Sequence, residues 1–215
     1  MRTSLIAPLI IAGMFIFSIL AFPALPEQVP SHWNTYGEID STMPKAIGAF
    51  IMPVFAAVLW GLMRVLPYID PKRVNYSQFS GTLTAIILLI VVFFAFMHAL
   101  VLGIPLGWPI DLPRLMMAGV SAMFVALGVL LPKISAQNYF VGIRTPWTLE
   151  DPEVWRLTHQ FGGVLFAAGG VAGILGALVL PPETGFMVIM AVALLAAFGS
   201  IGASWWIYRR LHPRA

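Results

Sequence analysis

The chain has 215 residues, of which 60% are hydrophobic and 10% charged, with a mean hydropathy of +0.90. A water-soluble domain carries about 25% charged residues, so the composition excludes an ordinary soluble fold and makes the bilayer the solvent. The net charge of +3 comes from cations spread between apolar runs rather than gathered in one patch, which argues against direct nucleic-acid binding; the absence of cysteine excludes disulfides, thiolate metal sites and cysteine nucleophiles.

A spanning helix needs about 20 mostly apolar residues. Six runs qualify, at about 4–24, 46–66, 80–104, 115–131, 161–180 and 186–208. Pro23, Pro26, Pro44, Pro67, Pro105, Pro132, Pro181 and Pro182 fall at the joins, where a residue lacking an N–H ends or starts a helix. The first run exceeds the usual signal-peptide core of about 7–15 residues and is read as a retained helix. The expectation is an all-α integral membrane protein: one membrane domain over 1–215, built as a bundle of about six transmembrane helices.

Orientation follows from the cations. One face holds Arg2, Arg64, Lys72, Arg73, Lys133, Arg144, Arg156, Arg209, Arg210 and Arg214; the other holds Lys45 and Arg114. A bias of this kind places the rich face inside, so both termini are expected in the cytoplasm.

Two connections are long enough to carry function, and their neighbours read as plain links. The first, about 25–45, faces outward. Pro30 forbids regular helix there, and Asn34 and Gly37 bracket a tight turn, so a short hairpin or compact loop on the membrane surface is expected. Trp33 and Tyr36 suit the headgroup layer. His32, Asn34 and Asp40 have ligand chemistry, but their spacing fits no metal pattern; they are read as bonding their own loop, with no metal. His32, Trp33, Asn34, Gly37 and Asp40 are the candidate outer binding residues.

The second long connection, about 132–160, faces the cytoplasm. Thr148 followed by Asp151 reads as a helix start, with acids suited to the positive helix end. Trp155 and His159 then share a face. The expectation is a short interfacial helix before the fifth span, with Trp147 and Trp155 in the interface and Arg144 and Arg156 on lipid phosphates. The sharper alternative makes Gly142 to Thr148 a surface for a cytoplasmic partner.

The stretch Gly142-Ile143-Arg144-Thr145-Pro146-Trp147-Thr148, preceded by Asn138 and followed by Val154-Trp155 and His159, resembles the signature of the SdpI-type family of bacterial and archaeal membrane proteins, over about 115–208. Leu25-Pro26, Pro30, His32-Trp33-Asn34, Gly37 and Asp40 resemble the domain of unknown function that commonly precedes it, over about 12–60. The family's best-known member is an immunity protein against a secreted toxic peptide, the killing factor of cannibalistic sporulating bacilli. It also acts as a receptor that holds a small repressor at the membrane. The resemblance therefore implies toxin resistance and signal transduction, with a toxic peptide outside and a small cytoplasmic repressor inside. Asn138, Gly142, Arg144, Thr145, Pro146, Trp147, Thr148, Trp155 and His159 are the candidate cytoplasmic binding residues.

Within the spans the notable polar residue is His98, a functional candidate by its position. The blander reading bonds it to a neighbouring carbonyl or hydroxyl. No Asp or Glu lies centrally in a span, which weakens a coupled transporter. Gly169 and Gly173 form a small-xxx-small pair suited to close packing, within the chain or between copies as a homo-oligomer. No nucleophile–base pair, phosphate loop or zinc-protease motif stands out; the chain is read as no enzyme, with no catalytic residues and no cofactor. A small-molecule transporter or channel, and an envelope assembly or stress factor, are the competing readings.

Overall fold

Six helices among the described residues are long and apolar enough to cross a membrane, and the chain is a multi-pass membrane protein. The computed structural model describes residues 5–34 and 36–213; Arg2, Ser4 and Arg214, counted above, lie outside the described residues. The spans are carried by α1 (Ile6–Ala21), α3 (Ile51–Ile69), α4 (Ser80–Gly103), α5 (Leu112–Leu130), α7 (Pro152–Val179) and α8 (Pro182–Leu211), with short α2 (Lys45–Gly48) and α6 (Pro146–Glu150) between them. Prolines set several starts: Pro152 and Pro182 open α7 and α8, and Pro113 stands in the first turn of α5, where the missing N–H costs nothing. Pro67, expected to stop the second span, lies inside the last turn of α3, which continues to Ile69.

Two differences from the expected plan matter, one a β-hairpin and the other a shifted helix start. The first connection forms an antiparallel hairpin, β1 (Gln28–Trp33) and β2 (Ile39–Pro44). Its register is Val29 opposite Met43 and Trp33 opposite Ile39, with irregularities after Pro30 and His32; Pro30 has no N–H to give to a ladder. Asn34 organises the tip: its backbone carbonyl accepts from the Gly37 N–H at 3.0 Å, and Gly37 takes a φ of +82°, a conformation glycine reaches without a Cβ penalty.

The second difference is at the fifth span. The short helix expected before it is present as α6, but the expected helix start is displaced. Thr145, not Thr148, caps the five-residue α6, with Thr148 as the reciprocal partner. Asp151 then caps α7 by accepting from the Glu153 and Val154 N–H groups, so residues 152–160 are simply the first turns of the span. The Thr148–Asp151 start is thus corrected: two caps lie back to back where the sequence suggests one.

The core falls into three clusters. One joins Ala7, Ile11 and Met14 of α1 to Ala56 and Val91 in α3 and α4. A second, at the hairpin end, joins Leu25 and Val29 to Ala21, Ala49 and Leu102. The third, at the opposite end, surrounds Trp155 with Tyr76, Phe79, Leu83, Leu131 and Ile134. Close approach of α7 to α5 depends on Gly170, where a Cβ would press on the backbone of Ser121 and Val125. Gly169 faces Val192 of α8, and Gly173 faces Ser121 and Ile189; the pair singled out for close packing serves contacts within the chain.

Candidate functional site

At the hairpin end lies a cleft of about 780 Å³. Its roof is the hairpin, and all five outer candidates, His32, Trp33, Asn34, Gly37 and Asp40, line it. Its walls come from α3, α4, α5 and α8 and carry Met43 of β2 together with Met52, Met97, Met116, Met117 and Met190. Along α5 the lining runs from Leu112 to Phe124, which spans roughly 18 Å at 1.5 Å per residue. The base of the hairpin is fixed in the core by Val29, and its tip rests on α5, where Gly37 abuts Pro113.

The polar groups of the roof are tied to one another. His32 Nδ1 lies 2.6 Å from Asp40 Oδ1. Asn34 Oδ1 accepts from the Tyr36 and Glu38 N–H groups at 2.9 and 3.0 Å, and its Nδ2 donates to Glu38 Oε2 at 2.9 Å. Among the described residues no third His, Asp or Glu joins His32 and Asp40 in a metal-sized group. The cleft offers an apolar trough with a polar rim at one end, the make-up of a ligand-binding site.

His98 does not line this cleft. It is buried between α4 and α1, with Nε2 at 3.1 Å from Ser18 Oγ and 3.3 Å from the Met14 carbonyl. Ser18 donates onward to the Ala49 carbonyl at 2.5 Å, and the ring meets Phe17 edge-on. The expected bond to a hydroxyl and a carbonyl is what the residue makes, and it ties α1 to α4.

At the opposite end the signature residues form a buried knot. Asn138 Oδ1 accepts from the Phe140 and Val141 N–H groups at 3.1 and 2.7 Å, and its Nδ2 donates to the Val141 carbonyl at 3.0 Å. Trp155, 1% exposed, donates its indole N–H to the Ile134 carbonyl at 2.7 Å. His159 stacks on it at 4.2 Å. Its Nδ1 lies 2.8 Å from the Trp155 carbonyl, which assigns the ring proton there, and its Nε2 accepts the Ile143 N–H at 3.0 Å. Both ring nitrogens are spent, leaving no lone pair to act as a base. Gly142, at φ +107°, passes so close that a Cβ would overlap His159 Nε2.

Trp155 is therefore no interfacial anchor; its indole fills the core because Ile134 supplies the acceptor that burial demands. Of the cytoplasmic candidates, Asn138, Thr145, Thr148, Trp155 and His159 are buried, Gly142 and Trp147 are half-buried, and Arg144 and Pro146 remain exposed. Arg144 donates to the Tyr139 carbonyl at 2.7 Å. Arg156 pairs with Glu153.

The α3–α4 connection, expected to be a plain link, clips this knot. Asp70, 2% exposed, accepts through Oδ2 from the Tyr76 hydroxyl and the Tyr139 N–H, both at 2.8 Å. Its Oδ1 accepts from the Lys72 N–H at 2.7 Å. Lys72 Nζ donates to Gln137 Oε1 and to the Leu149 carbonyl at 3.0 and 3.1 Å. Asn75 donates to the Gln137 carbonyl at 2.8 Å. Asp70, Lys72, Asn75, Tyr76 and Gln137 were missed by sequence reading; the only signal was a lone Asp beside a basic pair in a short loop. The methionine lining was also missed, since its members are scattered over the chain.

With this geometry in place, comparison with known proteins gives a consistent picture. The SdpI/YfhL protein family matches residues 133–204, which hold the knot, α7 and most of α8. A domain of unknown function, DUF1648, matches residues 9–57, which hold most of α1 and the hairpin. The immunity protein SdpI of Bacillus subtilis (strain 168) is 26% identical over 213 residues, covering 99% of each chain. No solved structure matches the chain.

Proposed function

We propose, for a chain whose residues 133–204 match the SdpI/YfhL protein family, that it protects its host membrane against a secreted toxic peptide. The observation that carries this reading is similarity running end to end with a relative named as an immunity protein, rather than over one shared segment. The protein acts by binding and not as an enzyme, a reading supported by a knot whose histidine has no free nitrogen and a cleft lined by apolar groups.

The cation bias supports an orientation with the hairpin end outside and both termini in the cytoplasm. The cleft then faces the side from which a secreted peptide arrives. The knot faces the cytoplasm, where Arg144, Pro146 and Trp147 give it a surface for a small repressor protein. The bilayer is the remaining partner.

The test is survival. A sensitive bacterium expressing the chain is challenged with killing-factor peptide beside an empty-vector strain. Protection is expected; equal killing of both strains, with membrane insertion confirmed, overturns the reading. The cleft's volume also falls in the range of small-ligand sites, about 300–1,000 Å³, which favours a transporter as the second reading. Flux of small solutes into proteoliposomes separates the two.

A further inference from the structure

The geometry points to the cleft beneath the hairpin as the seat of a cationic amphipathic peptide segment, its apolar face against the methionines and its charge at the His32–Asp40 end. This rests on the immunity reading and adds to it a place and a chemistry.

The walls argue for an adaptable apolar guest. Six of the eleven methionines of the chain line this one cleft, and they come from β2, α3, α4, α5 and α8. Methionine is unbranched and polarizable, and it is favoured on surfaces that must mould to a helix face. A core serving only stability is better filled by branched side chains with fixed rotamers.

The rim argues for positive charge on that guest. The hairpin end carries Glu27, Glu38, Asp40, Asp111 and Glu183 against Lys45 and Arg114, and of these carboxylates Asp40 lines the cleft itself. Both cations are already paired, Lys45 with Glu27 at 2.7 Å and Arg114 with Asp111 at 3.3 Å. Glu38 and Glu183 pair with no cation among the described residues, and Asp40 has only the imidazole of His32. An anionic lipid headgroup would meet these carboxylates as like charge, whereas a Lys or Arg side chain complements them. The hairpin supplies the cover: its base is held by Val29 in the core, and its tip touches α5 where Gly37 abuts Pro113.

The absence of cysteine makes the test clean. The full chain carrying Val120→Cys in the cleft, or Leu195→Cys on the exposed face of α8, is labelled with a polarity-sensitive fluorophore in nanodiscs of zwitterionic lipid. The probe is a synthetic Leu–Lys amphipathic helix peptide, with a Leu–Glu peptide as its counterpart. A saturable blue shift is expected at position 120 with the Lys peptide and not at 195. Asp40→Asn is expected to weaken that binding roughly three- to tenfold, and Asp40→Lys more, as loss and reversal of a complementary charge do. Equal shifts at both positions, an equal response to the Glu peptide, or binding indifferent to both Asp40 variants overturns the proposal. Filling the cleft with Ala193→Trp, in protein shown to be monodisperse, is expected to abolish protection from killing-factor peptide. Full protection by that variant removes the cleft while leaving immunity standing; no protection by the unaltered chain removes immunity, and the fluorescence result still decides the cleft.

Discussion

Asp70, Asn138, Thr148 and His159 lie buried at one end of the bundle, and each is hydrogen-bonded to backbone or to a neighbouring side chain. At the other end the cleft walls are largely methionine and aliphatic groups, with polar side chains confined to the hairpin. The first arrangement fixes one geometry, because a buried donor or acceptor that loses its partner costs about 1–3 kcal/mol. The second tolerates many, because unbranched side chains repack at little cost. A protein that must hold its shape in a bilayer while receiving a foreign segment has use for both, and it keeps them at opposite ends of the bundle.

The largest expected effect tests whether the knot is structural. Trp155→Ala is expected to destabilise the protein by about 3–5 kcal/mol, since it empties the core and strips the Ile134 carbonyl of its donor. Thermal unfolding in detergent measures this, with Trp205→Ala, on an exposed side chain, as the comparison. Equal melting of the two variants would show that the knot end is not the rigid end.

Gly142→Ala follows. The residue holds φ +107°, and a Cβ would drive into His159 Nε2, breaking the bond from the Ile143 N–H. Left-handed backbone costs a residue with a Cβ roughly 1–2 kcal/mol, and the lost buried bond about 1 kcal/mol more. The combined loss is measured by the same melt, and Gly142→Ala is expected to cost less in a His159→Ala background, where the clash is gone, than in the unaltered chain. An equal cost in both backgrounds would mean that His159 is not what confines the glycine.

These knot residues show how far the sequence carries. The six spans are legible because a run of about twenty apolar residues has few other meanings, and the hairpin tip is legible because Asn34 and Gly37 act over four residues. Asp70 is opaque for the opposite reason: its bond to the Tyr139 N–H joins positions 69 apart in the chain, and no local pattern encodes it. The helix starts at Thr145 and Asp151 lie between these cases. The cap chemistry is visible, but two caps six residues apart blur into one. The cleft is the extreme, since Met43, Met97 and Met190 become neighbours only after folding.

Gly37→Ala sharpens the comparison at the hairpin end. The backbone at φ +82° again costs roughly 1–2 kcal/mol, and the new methyl would collide with Pro113. Here the cost is expected to stay local, lifting the tip from α5 while the base remains held by Val29. Amide hydrogen exchange should quicken over residues 28–44 with the melting temperature nearly unchanged. A global loss of stability as large as that of Gly142→Ala would make the hairpin a structural brace, and the contrast between the ends would fail.

The smallest expected effect is the most discriminating. Met190→Leu conserves volume and should change stability by less than about 1.5 kcal/mol, as should Met117→Leu. If the cleft were only core, the double variant would be close to silent in every assay. If its methionines serve to mould around a guest, branched replacements keep the fold and lose the adaptability. Protection against killing-factor peptide should then fall while the melt stays where it was. Stability and protection that both remain would assign the methionines to packing, and the hairpin carboxylates would be left as the part of the cleft that recognises anything.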